Sequence, residues 1–359
     1  MARGNESCLG VFRCVGSFVN HSVMPFRALS RLTHSQAVIL MLAVTLMWSI
    51  AGVVTRQLES AARFEITFWR SAFTALSLLV ILPVWRHVDR SQGLLAEAPA
   101  GSGWLERHWG VPKGSKAFWI SGVCWSVMFT AFMLALTFTS VANVLVIMSV
   151  GPLFTALVAR VFIGQRLAVR TWLAIVVAGL GIVYMYGSQF LEAVAKPGID
   201  TSALVMGSLI ALCVPMAAAV NWTVVQRGQT HGEKIDLVPS VLLGAVISSL
   251  VTLPLALPIT ATGTDIAWLA LLGLVQLAIP CALCVVCARV LKAPEVSLLA
   301  LLEVIFGILL AWLWAHEAPG TEVLLGGSAV IAALVVNELL GWRSRAGTPR
   351  IQTVDKLPQ

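Results

Sequence analysis

The stretch ALVMGSLIALCVPMAAAVNWTVV, residues 203–225, contains no charged side chain. An α-helix needs roughly 20 predominantly apolar residues to cross about 30 Å of hydrocarbon, so this stretch predicts a membrane-spanning helix. Nine other stretches share its length and its apolar character. Together they predict ten spans at residues 37–55, 64–85, 117–138, 141–163, 171–187, 203–225, 237–257, 266–288, 296–315 and 323–340.

The composition agrees with an all-α integral membrane protein. Hydrophobic residues make up 58% of the chain and charged residues 11%, whereas a soluble domain carries roughly 25% charged residues. The mean hydropathy is +0.89. The net charge of +7 is compatible with a nucleic-acid-binding protein only if the bases form one face, and here they lie between apolar spans. We therefore expect the lipid bilayer and no nucleic acid as a partner.

The distribution of lysine and arginine predicts the orientation. With the N-terminus inside, twenty of the 24 bases fall in inside segments and only Arg56, Arg63 and Lys196 in outside segments. Because cytoplasmic loops of membrane proteins are enriched in these residues, both termini are predicted to be cytoplasmic. The prediction is a multi-pass protein of the inner (cytoplasmic) membrane.

Ten spans divide into two sets of five. Since five is odd, the second set enters the membrane from the side opposite to the first, which predicts two inverted five-helix repeats. At an offset of 152 residues, the last two helices of each half can be overlaid, and Gln165 then falls on Glu317. The predicted organisation is a cytoplasmic tail at 1–36 with an alternative start at Met24, a first repeat at 37–187, a periplasmic linker at 188–202, a second repeat at 203–340 and a cytoplasmic tail at 341–359.

The longest internal loop follows the second span and ends at Lys116. Around Trp104 to Trp109 it predicts a short surface helix. A membrane-skimming role for the two tryptophans is one interpretation of this segment, and an ordinary solvated loop is the one that we favour.

Several motifs resemble those of EamA-type transporters of the drug/metabolite transporter superfamily over roughly residues 37–340. The stretches that carry the resemblance are Leu46-Met47-Trp48-Ser49, Phe64-Glu65-Ile66-Thr67-Phe68-Trp69-Arg70, Thr139-Ser140-Val141-Ala142-Asn143 with Gly151-Pro152-Leu153-Phe154, and Ala293-Pro294-Glu295 with Leu302-Glu303-Val304. Where the family often has Glu-Pro in the ninth helix, this chain has Glu303-Val304, so a proline kink is not expected there. The resemblance implies ten helices in two five-helix repeats and secondary transport of small metabolites, such as amino acids or other small amphipathic compounds, with export favoured and no cofactor.

Glu303 and Arg70 lie within predicted spans and are candidates for substrate binding or coupling, because charge at membrane depth costs on the order of 3 kcal/mol. Glu303 lies near the middle of the ninth span. It can take up a proton from one side of the membrane and release it to the other, or it can clamp two helices as a hydrogen-bonded carboxyl. Arg70 can hold an anionic substrate, pair with Glu303, or extend its stem to the headgroups. Arg160, at the cytoplasmic end of its span, is interpreted as a snorkelling anchor.

Uncharged residues supply the remaining candidates. Trp48, Trp125, Asn143, Asn221 and Gln276 are candidates for lining a central cavity, since binding pockets combine apolar walls with sparse polar groups. For each of them, interfacial anchoring or helix-to-helix hydrogen bonding is the alternative. Pro152, Pro215 and Pro280 lie in spans and are candidate hinges or simple kinks.

An intramembrane enzyme acting on lipid or peptide is the alternative function. All six histidines lie outside the predicted spans, and the sequence has no Gly-x-Ser-x-Gly elbow and no Gly-x4-Gly-Lys-[Ser/Thr] phosphate loop. Cys281, Cys284 and Cys287 have spacing found in metal or redox sites, but no second pair or histidine accompanies them. We expect these cysteines to pack as small residues, and we expect no metal and no enzymatic activity.

Overall fold

The computed structural model describes residues 32–54, 58, 63–91, 103–112, 114–138, 144, 147–164, 167–195, 201–230, 236–315 and 321–346. Every regular element among them is helical. The α-helices are α1 (His34–Ser49), α2 (Ala51–Val54), α3 (Arg63–Ser91), α4 (Trp104–Trp109), α5 (Lys116–Phe138), α6 (Gly151–Ile163), α7 (Val169–Ala195), α8 (Thr201–Thr230), α9 (Pro239–Thr252), α10 (Gly263–Leu271), α11 (Ile279–Cys287), α12 (Ala293–Ala300), α13 (Leu302–Ala315) and α14 (Thr321–Ala346).

Each of the ten predicted spans overlaps one of these helices or a pair of them. Four helices are long and apolar enough to cross a membrane: Phe64–Arg90, Lys116–Ala135, Val205–Gly228 and Gly263–Cys287. Shorter apolar helices occupy five more predicted spans: His34–Ser49, Gly151–Ile163, Val169–Met185, Pro239–Leu255 and Leu324–Asn337. The helical class is therefore confirmed, while ten crossings stay a prediction.

Local sequence signals account for several helix ends. At the start of α1, the backbone N–H of Thr33 donates to the side chain of Gln36 at 2.9 Å, and the Gln36 N–H donates to the Thr33 hydroxyl at 3.4 Å. This reciprocal pair is a capping box, which satisfies backbone donors that a helix start leaves free. At its other end, α6 stops at Gly164, whose φ of 69° is a left-handed conformation that glycine adopts readily.

Three helices extend past the predicted boundaries. Helix α3 continues beyond residue 85 to Ser91 although it contains Pro83. Helix α7 runs through half of the predicted linker and ends two residues before Pro197, in keeping with the bias of the residue before a proline against helix. Helix α14 continues to Ala346, inside the predicted C-terminal tail. The length of the apolar stretch therefore underestimates the length of these helices, because their charged ends, which leave the hydrocarbon, remain helical.

Two helical regions are irregular inside their predicted spans. Between α10 and α11, residues Leu272–Ala278 form a π-helix. Such insertions are frequent at functional sites, because they change the direction of side chains within one helix. The ninth span is interrupted at Leu301, between α12 and α13, where the N–H of Val304 donates to the Leu301 carbonyl at 3.2 Å. The chain thus breaks this helix without a proline.

Contacts between the two halves follow a symmetric pattern. By their order within each half, α1 corresponds to α8, α3 to α9, α5 to the π-helix with α11, α6 to α12 and α13, and α7 to α14. The contact of α1 with α11 then has its equivalent in the contact of α8 with α5, and the contact of α1 with α13 has its equivalent in that of α8 with α6. In the same way, α3 with the π-helix becomes α9 with α5. The pairs α3 with α9, α6 with α12 and α7 with α14 map onto themselves. Every principal contact between the halves therefore has its equivalent, as expected for two units related by a two-fold axis.

Acidic residues tie the two halves together at the two ends of the α3–α9 pair. At the start of α3, the carboxylate of Glu65 accepts hydrogen bonds from the Thr260 N–H at 3.0 Å and the Ala261 N–H at 2.8 Å, just beyond α9. At the start of α9, Asp236 pairs with Arg86 near the end of α3 at 3.1 Å and with Arg289 after α11. Each acid thus joins the start of one helix of this pair to residues of the other half.

A third contact between the halves joins α1 to α12, where Nε2 of His34 lies 3.3 Å from Oε2 of Glu295. Burial raises the pKa of Glu295, but the bond to His34 and the backbone N–H of Lys292 outweigh burial and lower its pKa overall. A carboxyl with a lowered pKa stabilises the fold above its unfolded pKa of about 4.3 and loses that contribution as the pH falls through its folded pKa.

Replacing Glu295 with glutamine is therefore expected to lower the free energy of unfolding at neutral pH by about 1 kcal/mol. This is the contribution of a hydrogen bond to a charged group, reduced because the pair is partly exposed to solvent. Thermal unfolding of the wild type and the variant, measured from neutral pH down to acid, should show curves that converge as Glu295 becomes protonated. Glu322, which is exposed at the start of α14, is the control when changed in the same way, and it should leave stability unchanged. A difference between Glu295→Gln and the wild type that stayed constant with pH would contradict this role.

Candidate binding cavity

A cavity of about 1030 Å³, counting the part open to solvent, lies between helices of both halves. Large apolar and aromatic side chains form most of its wall, and a few polar or charged groups interrupt it. Such a combination is typical of small-molecule sites, in which sparse polar groups orient a ligand. The lining includes Trp48 of α1, Arg70 of α3, Trp125, Met128, Phe129 and Phe132 of α5, Met148 before α6, Pro215 and Trp222 of α8, Gln276 of the π-helix, Cys281 of α11, Ser297 of α12 and Glu303 of α13.

Arg70 reaches the cavity from α3 with its side chain 4% exposed. Its guanidinium makes no hydrogen bond with any described residue, and its Nε is buried without a partner. A buried cation that lacks partners is costly, because its lost hydration is not replaced. The position therefore provides an unused donor group directed at whatever fills the cavity.

The location of Arg70 depends on a close approach between α3 and the π-helix. A Cβ atom added at Gly273 would lie 2.5 Å from Cβ of Phe73 and 2.9 Å from the backbone oxygen of Arg70. The Thr74 hydroxyl bridges the two elements, since it donates to the carbonyls of Arg70 at 2.7 Å and of Gly273 at 3.1 Å. Only glycine at 273 permits this spacing, which fixes the backbone that carries Arg70.

Glu303 lies in the first turn of α13, directly after the interruption at Leu301, and its side chain is half-buried at the cavity wall. Glu303 and Arg70 are close enough to interact electrostatically, although the structure shows no ion pair between them. The cavity thus presents one guanidinium and one carboxyl group that are not in direct contact.

Two uncharged polar groups at the cavity also lack partners. The indole Nε1 of Trp125 and the amide Oε1 of Gln276 are buried without a hydrogen bond to any described residue. The Nε2 group of the same Gln276 side chain does have a partner, since it donates to the backbone carbonyl of Trp48 at 3.4 Å. Because buried polar groups are ordinarily hydrogen-bonded, these free atoms mark further ligand-facing positions.

The structure places the other predicted residues differently. Asn221 does not line the cavity: it accepts a hydrogen bond of 2.6 Å from Ser121 and lies between α8 and α5, the alternative helix-to-helix role. Asn143 lies outside the described residues. Pro215 lines the cavity inside an unbroken α8, whereas Pro152 begins α6 and Pro280 lies in the first turn of α11 after the π-helix.

The sequence did not single out several wall residues, including Phe129, Met148 and Trp222. In an apolar span, a side chain that faces a cavity has the same hydrophobicity as one that faces lipid, so no signal distinguishes the two. One weak signal is that Trp222, like Trp125, is a tryptophan within a predicted span. Their rings meet edge to face with centroids 5.5 Å apart.

The three cysteines of α11 are buried and free. Cys281 faces the cavity beside Trp48 and Arg70, and Cys284 lies 3.7 Å from the sulfur of Met41. Among the described residues, no group of three histidine, cysteine or acidic side chains is placed to hold a metal ion.

Comparisons with known proteins agree with the helical architecture. The sequence profile of the EamA-like transporter family matches the chain twice, over residues 35–187 and 205–338. A solved structure titled only "Crystal structure of protein" superposes with a TM-score of 0.66 at 14% identity, covering 87% of this chain and 100% of that one, a likeness that concerns the fold alone. No curated protein matches the chain. Because the two profile matches together span most of the sequence and bear out the resemblance in its motifs, the chain belongs to the EamA-like transporter family.

Proposed function

We propose that the protein is a secondary transporter that moves small amphipathic metabolites, amino acids among them, by alternating access to the central cavity, with export as its physiological direction. The observation that carries this proposal is the unpartnered Arg70 at 4% exposure, facing a cavity walled by residues of both halves. A buried guanidinium of this kind is compensated when an anionic group of the substrate enters.

The transport mechanism that we propose requires ten crossings arranged as two inverted repeats in the inner membrane, with both termini cytoplasmic. The symmetric pairing of helices between the halves supports this arrangement, and so do the two separate family matches. Five helices per half place the second half upside down relative to the first. Two inverted units around one site can then exchange inward-open and outward-open states by rocking against each other.

The chemistry of the cavity favours amphipathic substrates. Arg70 and Trp125 supply donors, Gln276 and Glu303 supply acceptors, and the aromatic and methionine side chains supply an apolar surface. An amphipathic molecule satisfies both sets of groups at once. We favour transport over an intramembrane enzyme because the family is a transporter family, and because the cavity groups suit reversible binding.

Glu303 is our candidate for proton coupling, since it is the carboxyl of the cavity and lies at an interruption of its helix. If transport is coupled through a proton on Glu303, Glu303→Gln is expected to abolish the stimulation of transport by a pH gradient, because glutamine cannot exchange that proton. Uptake of labelled candidate compounds into proteoliposomes, measured with and without an imposed gradient, checks this. Glu322→Gln, which changes an exposed glutamate at the start of α14, is the matched control and should retain the stimulation.

Two results would count against these proposals in different ways. If Glu303→Gln in a correctly inserted protein responds to the gradient as the wild type does, proton coupling through Glu303 is wrong while transport stands. If the wild type moves none of the amino acids or other amphipathic compounds in either direction, the transport proposal itself is wrong.

A further inference from the structure

The short helix α4 is attached to the membrane-embedded part of α3. Nε1 of Trp109 donates a hydrogen bond of 3.1 Å to the backbone carbonyl of Leu79. Pro83 stands four residues after Leu79 and has no N–H, so the helix itself cannot satisfy that carbonyl. The indole therefore replaces the hydrogen bond that the proline removes, and it does so within the apolar span Phe64–Arg90.

Two further contacts fix the depth of α4. Gly110, which ends α4 with a φ of 71°, packs directly against the guanidinium of Arg86, and Arg90 donates to the carbonyl of Arg107. Leu79 precedes Arg86 by seven residues, or about 10 Å along a helix. The helix α4 thus lies beside the charged end of α3, while Trp109 reaches towards the hydrocarbon, which places α4 at the boundary between acyl chains and headgroups.

Two large apolar side chains of α4 are exposed, and the exposed His108 lies between them on the helix surface. Trp104 is 64% exposed and Leu105 56% exposed. On either side of Leu79, to which Trp109 is bonded, α3 exposes Leu76 and Val80, which belong to a span whose outer surface lipid covers. The exposed side chains of α4 therefore continue a lipid-facing surface.

We infer that α4 is an interfacial anchor that binds the phospholipid bilayer. Trp104 and Leu105 insert at the level of the acyl-chain boundary, where tryptophan is favoured. Lys116, exposed at the start of α5, supplies a base for the phosphate groups of anionic lipids. This replaces the solvated loop that the sequence favoured, and it does not depend on what the cavity transports.

The test places a nitroxide on α4 of the full chain, reconstituted in vesicles of phosphatidylcholine and phosphatidylglycerol. The label is attached at Leu105→Cys, or at Arg107→Cys as the matched control on the opposite side of the same helix. Both are made in a background in which Cys8, Cys14 and the exposed Cys213 are alanine. We expect the label at 105 to collide with oxygen, which concentrates in lipid, and to be shielded from a water-soluble nickel chelate, with the reverse at 107.

Equal access of the nickel chelate to both positions would overturn the proposal. A second measurement needs no purification: in intact membranes, a water-soluble maleimide should modify the Cys at 107 much faster than the Cys at 105. Equal rates there would also overturn it. Trp109→Phe, which keeps the ring but removes the donor to Leu79, is expected to increase the reaction at 105. Vesicles without phosphatidylglycerol should weaken the shielding, and unchanged shielding would contradict the part assigned to anionic lipid.

Discussion

Replacing Arg70 with glutamine is expected to reduce transport at least about tenfold. A hydrogen bond to a charged group contributes roughly 1.5–3 kcal/mol, and a factor of ten corresponds to about 1.4 kcal/mol. Glutamine keeps polar atoms at the cavity wall but removes the positive charge that we propose for the anionic end of the substrate. The measurement is initial uptake rate against substrate concentration in proteoliposomes, with the amount of inserted protein determined for each variant.

The matched control for Arg70 is Arg160→Gln, which removes an exposed arginine at the C-terminal end of α6. That variant is expected to transport at the wild-type rate. Arg70→Lys separates charge from geometry: an ammonium restores the charge but not the planar fork of donors, so partial recovery is expected. If Arg70→Gln transports as well as Arg160→Gln does, the unpartnered guanidinium is not a substrate group.

The second large effect is expected from Gly273→Val. Valine introduces a Cβ 2.5 Å from Cβ of Phe73 and 2.9 Å from the carbonyl oxygen of Arg70, closer than real contacts allow. The π-helix and α3 must then move apart, which strains the Thr74 bridge and shifts Arg70. Overpacking of this kind typically costs about 1–3 kcal/mol, so lower thermal stability and severe loss of transport are expected together.

Gly307→Val supplies the control for this steric argument. Gly307 lies in the membrane helix α13, and an added Cβ there has no neighbour within 4 Å. The same substitution in the same type of element should leave stability and transport near wild type. Equal damage from the two variants, measured by thermal unfolding in detergent, would show that the close approach at Gly273 is unimportant.

Much of the fold could be predicted from the sequence, because hydrocarbon permits few solutions. Backbone groups inside the bilayer must be paired within a helix, so apolar length alone located helices in every predicted span. The prediction was least accurate at helix ends. Charged turns after residue 85 of α3 and after residue 340 of α14 continue the helices, although their composition resembles loops.

The cavity was only partly predictable. Arg70, Glu303, Gln276 and Trp48 stood out because polar or amphipathic groups are rare in the spans, and the structure brings all four to one cavity. Asn221 stood out for the same reason but serves a helix contact instead. Polarity identifies a residue that needs a partner, but only the packing of helices decides whether that partner is a neighbouring helix or a ligand.

Other features depend on distant contacts that no local pattern contains. The interruption at Leu301 could not be predicted, because neither a proline nor a glycine lies at that position. The hydrogen bond from Trp109 to Leu79 joins residues 30 positions apart and becomes intelligible only with the proline four residues beyond Leu79. In both cases, tertiary packing determines the geometry and the sequence supplies side chains that are compatible with it.

The central claim is that the two halves are mounted in the membrane in opposite orientations. Its most direct test is cysteine labelling of Gln165 and Glu317, the equivalent positions of the two halves, with Lys196 and Arg227 as markers of the two membrane faces. A membrane-impermeant thiol reagent applied to intact cells should modify cysteines at 196 and 317 and should leave those at 165 and 227 unmodified until the membrane is opened. Labelling of 165 and 317 from the same face would contradict the inverted arrangement, and alternating access would lose its structural basis.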